Sequence, residues 1–266
     1  MRRHLLSLFL LVATACATTP VPPEPPAAPP ARVETSAAGI PAYIEAAVGA
    51  ADRSDADKAL DAGRHPATLL NYYDVQPGMK VAEMMAGGGY TAELLARTVG
   101  PTGQVWGVNS PFILERFAQA PWTERLAKPV MSNVTRLDRV FDDPFPAEVT
   151  GLDRVFSILV YHDFIWMGVD MAKMNKAIFD ALKPGGIYAI VDHSALAGHG
   201  IQDVETLHRI EQSVLVTQVE QAGFRLEGES NFLRSPEDTR DWSASPRTAG
   251  ERRGTSDRFV LTFVKP

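Results

Sequence analysis

The segment at residues 80–99 constrains this chain more than any other. A short apolar run, Lys80 to Met84, leads through Met85-Ala86 into Gly87-Gly88-Gly89, and a helical pattern follows from Tyr90 to about Val99. Glycines at such a corner let the backbone turn sharply and approach a ligand, and the helix behind them presents free N–H groups. A strand turning through glycine into a helix is the first half of a βαβ unit, and repetition of the unit commits a chain to a parallel sheet. The unit does repeat. Residues 104–108, 134–140, 154–160 and 187–191 read as strands, with helical patterns at 111–126, 167–182 and 204–222. Residues 224–229 and 258–264 alternate as closing strands with no helix between them, so one should run antiparallel. The expected fold is a single Rossmann-like, doubly wound α/β sheet of about seven strands. It is mostly parallel, has an antiparallel strand near the C-terminus, and is preceded by N-terminal helices over residues 40–75.

The first forty residues have a different character. Met1-Arg2-Arg3-His4 is basic, and residues 5–13 form an apolar run too short to span a bilayer, which takes about 20 residues. Ala13-Thr14-Ala15 then precede Cys16, the single cysteine of the 266 residues. This order reads as a secretory leader, and its end resembles a bacterial lipobox at 1–16. A leader cut near Cys16 without lipidation is the other reading. Seven prolines between Pro20 and Pro30 mark residues 17–39 as an extended tether of about 3.1 Å per residue. Residues 76–266 then form the α/β domain. The expected location is outside the cytoplasm, periplasmic or membrane-anchored in a bacterial envelope, with a lipid on Cys16 as the only membrane contact. One cysteine excludes a disulfide framework and a Cys-rich zinc site. A formal charge of −6 argues against a nucleic-acid binder that works by neutralising phosphates.

In an open parallel sheet the ligand lies beyond the carboxyl ends of the strands. At that end of the first strand stands Glu83, which would set a negative charge beside a dinucleotide's pyrophosphate. A cationic ligand suits it better, and a nicotinamide-dependent oxidoreductase is disfavoured. Residues 80–109 resemble the S-adenosylmethionine site of class I methyltransferases, where an acid precedes Gly-x-Gly-x-Gly and a second acid ends the next strand. Glu83 matches the first acid, and Gly87 and Gly89 the last two glycines. Met85 stands at the first glycine and Asn109 at the second acid, where its amide could still bond two hydroxyls without charge assistance. Leu182-Lys183-Pro184-Gly185-Gly186 and the closing run at 254–263 extend the likeness. The leader, Gly87-Gly88-Gly89-Tyr90, Tyr161-His162-Asp163 and His208-Arg209 together resemble a group of exported bacterial proteins predicted to be methyltransferases. The resemblance implies S-adenosyl-L-methionine as cofactor, held by Glu83, Gly87, Gly89, Asn109 and Tyr161. It also implies an acid after the third strand against the adenine, which leaves Asp138, Asp142 and Asp143 open.

The loop expected after the fourth strand, Tyr161-His162-Asp163-Phe164-Ile165-Trp166, faces the methyl group in that family. Methyl transfer is an in-line displacement, so it needs a positioned nucleophile relieved of its proton. His162 is the candidate base, Asp163 its orienter, and His193, after Asp192 at the end of the fifth strand, a further catalytic candidate. Tyr161 and Trp166 could stack on adenine or meet the sulfonium by cation–π contact, or be core aromatics. His208, read as lying on the following helix, could join His162 and His193 with Asp163 or Asp192 around a metal. No His-x-x-x-His spacing supports this, so no metal is expected and a substrate pocket lined by His162, His193 and Arg209 is preferred. Arg234, Arg240, Arg247, Arg252, Arg253 and Arg258 read as a solvated loop, and Asp61 and Arg64 as candidates to cover the site. The expected activity is methyl transfer to a small-molecule acceptor. The alternative is a non-catalytic exported binding or accessory lipoprotein, favoured by the fact that S-adenosylmethionine is made in the cytoplasm.

Overall fold

Residues 39–266 are described by the computed structural model; the leader and lipobox at 1–16 and the tether from 17 lie outside the described residues. Three helices open the described residues: α1 (Ala42–Val48), α2 (Asp55–Arg64) and α3 (Pro66–Tyr72). The Ser54 hydroxyl caps α2 by accepting the Asp57 N–H at 3.2 Å. His65, at φ 48°, makes the corner, and Pro66 opens α3 where its missing N–H costs nothing. Just past α3, the Tyr73 hydroxyl fits between two strands and bonds the carbonyls of Ile190 and Leu261 at 3.1 and 3.0 Å. The N-terminal helices are thereby joined to the sheet.

The chain then alternates: β1 (Lys80–Met84), α4 (Tyr90–Val99), β2 (Gln104–Asn109), α5 (Pro111–Ile113), a π-helical turn (Leu114–Ala118), α6 (Gln119–Leu126), β3 (Val134–Asp138) and β4 (Leu152–Ile158). The second half runs α7 (Tyr161–Trp166), α8 (Met171–Ala181), β5 (Leu182–His193), α9 (Gln212–Glu220), β6 (Arg225–Ser230) and β7 (Arg258–Val264). The seven-stranded sheet has the order β3-β2-β1-β4-β5-β7-β6. The strands from β3 to β5 pair in parallel, and β7 runs antiparallel to both β5 and β6. The strand expected to be antiparallel is therefore β7. Val81, Ala82, Val105, Val155, Phe156 and Ile190 are fully buried, as expected of central strands covered on both faces.

The strand order reverses between β1 and β4, so the loop after β1 and the segment after β4 open onto one crevice at the carboxyl edge. Two local expectations are corrected there. Residues 161–166 form the short helix α7 rather than a loop. The helix expected over 204–222 begins only at Gln212, because Asp203 diverts the chain by accepting the N–H groups of Leu207 and Arg209 with its carbonyl. His208 thus lies in a turn, at φ 52°. Among the described residues no helix is long and apolar enough to cross a membrane.

Candidate active site

The glycine loop is braced at each residue. The Asn109 amide, fully buried at the end of β2, accepts the Gly87 N–H at 2.8 Å and donates to the Gly87 carbonyl at 3.1 Å. Arg125 from α6 donates to the Gly88 carbonyl at 2.5 Å and grips Asp57 and Glu93 with its remaining N–H groups. Gly89, at φ 83°, lies under the Trp122 ring, where an added Cβ would come within 2.4 Å. Gly87, at φ 56°, is different: a Cβ there would meet nothing within 4 Å, so it faces the crevice. Met85 stands in place of a glycine yet adopts φ 52°. The loop keeps its shape and accepts a left-handed backbone cost of about 1–2 kcal/mol.

Glu83 sits beneath this loop at 5 % exposure, and its Oε2 atom is buried with no hydrogen-bond partner. Burial pushes its carboxyl up to about 8, against the opposing pull of the Thr91 hydroxyl and Arg64. A buried carboxylate oxygen without a donor suits a cationic ligand. Asp61 and Arg64 do reach the loop's far side. Asp61 accepts the Tyr90 hydroxyl at 2.6 Å and Arg64 stacks 4.4 Å from the Tyr90 ring centre. A small apolar cavity lies between them and the ends of β4 and β5, lined by Arg64, Leu69, Tyr90, Leu159 and Arg258.

Across the crevice, His162, Asp163 and His208 meet. His162 Nε2 is 3.2 Å from both His208 Nδ1 and Asp163 Oδ1, which are themselves 3.2 Å apart. Asp192, fully buried at the end of β5, takes the His162 Nδ1 side at 2.7 Å and the His162 backbone N–H at 2.8 Å. Burial alone would lower the His162 imidazole, but the charges of Asp192 and Asp163 override it and raise it to about 10. A ring that holds its proton so firmly is a poor general base. His193 stands 5.8 Å from His162 between ring centres and bonds the Ser256 hydroxyl at 2.7 Å. Burial and the His162 charge push it well below its ordinary value.

Not every expected site residue lines the crevice. The Tyr161 ring is in the core, its hydroxyl donating to Gln218 on α9 and accepting from Asn175 on α8, so stacking on adenine is not its role. Trp166 is half-buried and donates its indole N–H to Asp163 Oδ1 at 2.7 Å. Of the arginines expected in a solvated loop, Arg247, Arg252 and Arg253 are exposed, whereas Arg234, Arg240 and Arg258 are partly or fully buried. Arg258 is 4 % exposed and donates to the Gly63 carbonyl, while Arg234 and Arg240 share Asp257. Of the acids after β3, Asp138 pairs with Arg136 and Asp143 with Arg139, which leaves Asp142 without an ion pair among the described residues. Sequence reasoning missed Trp122 and Arg125, whose roles depend on α6 folding back over the loop and carry no local motif.

Comparison with known proteins bears on this geometry. A family model described as protein-L-isoaspartate(D-aspartate) O-methyltransferase matches residues 46–135, from the N-terminal helices through the glycine loop to β3. A methyltransferase dependent on S-adenosylmethionine from Aquifex aeolicus superposes with a TM-score of 0.53 at 15% identity, over 80% of this chain and 100% of that one. An arsenic(III) S-adenosylmethionine methyltransferase from Chlamydomonas reinhardtii gives 0.51 at 18%, over 85% and 73%. The cyclase SpnF gives 0.54 at 16%, over 79% and 81%, so the shared architecture does not by itself name the reaction. The chain has the fold of the S-adenosylmethionine-dependent methyltransferases.

Proposed function

We propose that this protein transfers the methyl group of S-adenosyl-L-methionine to a small-molecule acceptor held at the ends of β4 and β5. The observation that carries this is the pairing of Glu83, whose buried Oε2 lacks a partner, with Gly87, whose missing side chain opens the loop to the crevice. A ligand carrying an ammonium and a sulfonium matches the first, and one that must lie close to backbone matches the second. Glu83 and the loop at 85–89 would hold the cofactor, with Asp142 as the acid free to meet its adenine. The cofactor supplies an electrophilic methyl group, and the chain positions the acceptor against it. His162, Asp163 and His208 would orient the acceptor's nucleophilic atom, with Asp192 fixing the His162 ring. A polar cleft between Gln212, Arg234 and Arg240, next to Ser194 beyond β5, offers room for a small polar acceptor.

A thermal-shift series on the full chain tests this. A ligand at 100 times its dissociation constant stabilises by about 2.7 kcal/mol, a rise of about 5–11 °C in Tm for a domain of this size. S-adenosylmethionine and S-adenosylhomocysteine should produce it and NAD should not. Gly87→Ala, which places a methyl group in the cradle, should abolish the shift, while the left-handed backbone at φ 56° lowers its own stability by only about 1–2 kcal/mol. No shift with either adenosyl ligand in the parent would reject the proposal. The chain is further proposed to be exported and held to a membrane by lipid on Cys16. Labelled palmitate should enter the protein in cells and be absent from Cys16→Ser; equal labelling of the two would count against an anchor there.

A further inference from the structure

The three atoms that meet across the crevice form a triangle that hydrogen bonds explain only in part: two ring protons can reach Asp163 Oδ1, and the contact between the two nitrogens is left over. His162 Nδ1 is committed to Asp192, so the His162–His208–Asp163 face has one ring proton of His162 and at most one of His208 to satisfy three contacts. A single cation satisfies all three at once. With bonds of about 2.1 Å, such as zinc makes to histidine nitrogen and carboxylate oxygen, three atoms 3.2 Å apart share a point about 1 Å out of their plane. Ligand atoms of a tetrahedral zinc site stand about 3.3–3.4 Å apart, close to the sides of this triangle. We propose that His162 Nε2, His208 Nδ1 and Asp163 Oδ1 bind one divalent first-row metal ion, Zn²⁺ or Fe²⁺.

Three independent features fit that assignment. The buried Asp192 carboxylate orients the His162 ring from behind, as outer partners of metal ligands do, and the Trp166 indole N–H fixes Asp163 by donating to Oδ1 itself at 2.7 Å, leaving that oxygen's other lone pair for the metal. His208 is held at φ 52°, an uncommon backbone position for a side chain of its size. It is kept there because Arg209, next in sequence, is pinned by its buried pair with Asp238. Finally, Asp163 and His208 keep 19 % and 25 % of their side chains exposed while His162 keeps 2 %. The triangle is open on one side, as a site with free positions for water or an acceptor must be. The absence of a His-x-x-x-His spacing carries no weight here, because the turn at 207–210 brings His208 to α7 from 46 positions away.

Calorimetric titration of the full chain, stripped with chelator, tests the site without any adenosyl ligand, so it can fail while the methyl-transfer proposal stands. Zn²⁺, and Fe²⁺ without oxygen, should bind at one per chain. His208→Gly removes one ligand and suits the left-handed backbone, so it should fold as the parent does and lose at least tenfold in affinity. Asp192→Asn should lose about 10–100-fold, and His199→Ala, at a half-exposed histidine outside the triangle, should match the parent. Co²⁺ in place of Zn²⁺ should give visible absorption in the parent and not in His208→Gly. The proposal is overturned if the parent binds neither ion, or if His208→Gly binds as tightly as the parent.

Discussion

Glu83→Gln is expected to gain stability relative to the parent as pH rises from about 4.5 to about 8, and to lose its response to adenosyl ligands. In the parent the buried carboxyl is pushed up to about 8 from an ordinary value of 4.5. Between those values the folded chain holds a proton that the unfolded chain has released. Parent stability therefore falls with rising pH across this window, by up to about 1.4 kcal/mol per pH unit, and levels off above it. Glutamine does not titrate. Its amide adds a polar group that needs a partner, at about 1–3 kcal/mol, but that cost is the same at every pH. The difference between the two proteins isolates the carboxyl: it should widen in the variant's favour up to about pH 8 and then stay constant. Ligand binding provides the opposite sign. A cation beside Glu83 favours its ionised form, so binding near pH 7 should release about one proton, visible as a dependence of calorimetric heat on buffer ionisation enthalpy. Parallel stability curves for parent and variant, or binding without proton release, would show that Glu83 does not act in this way.

What the sequence revealed, and what it concealed, follow from the range of the interactions involved. β1, the glycine turn and α4 were legible because period, turn residues and helix start all lie within twenty positions. So was the reversal to an antiparallel β7, because no helix separates the last two strands. Met85 shows a motif departing in residue but not in conformation, since its φ of 52° is the one a glycine would adopt. Asn109 is a departure of another kind: its amide is spent on Gly87, within the loop, where a free acid was the family's expectation. His208 was misplaced because residues 204–222 carry a helical pattern, while the turn that displaces them is made by backbone bonds to Asp203 and by a distant ion pair. Arg234 and Arg240, among the C-terminal arginines, were misjudged for the same reason. Charges that look solvated in a run of polar residues prove to be partly buried once Asp257 draws them into the folded loop.

That loop sets the second large effect. Arg209 and Asp238 form an ion pair with 0 % and 1 % of their side chains exposed. The guanidinium also donates to the carbonyls of Ser194 and Trp242 and lies 4.9 Å from the Trp242 ring centre. Asp238 in turn accepts the N–H groups of Arg240, Asp257 and the Trp242 indole, so one carboxylate gathers residues 238–257. Arg209→Met removes the cation and leaves a buried charge, a change that costs about 3–5 kcal/mol. In a domain of this size it should lower Tm by about 6–20 °C. Arg209→Lys should not restore the parent, because an ammonium cannot reproduce the planar fork that reaches Asp238 and two carbonyls together. Pairing Arg209→Met with Asp238→Asn should recover part of the loss, since the stranded charge is then gone. The consequence reaches the crevice: His208 stays at φ 52° only while its neighbour is pinned, so Arg209→Met should weaken metal binding as well as stability. If Arg209→Met lies within 1 kcal/mol of the parent, the C-terminal loop is held by something other than this pair. The placement of His208 would then need another cause.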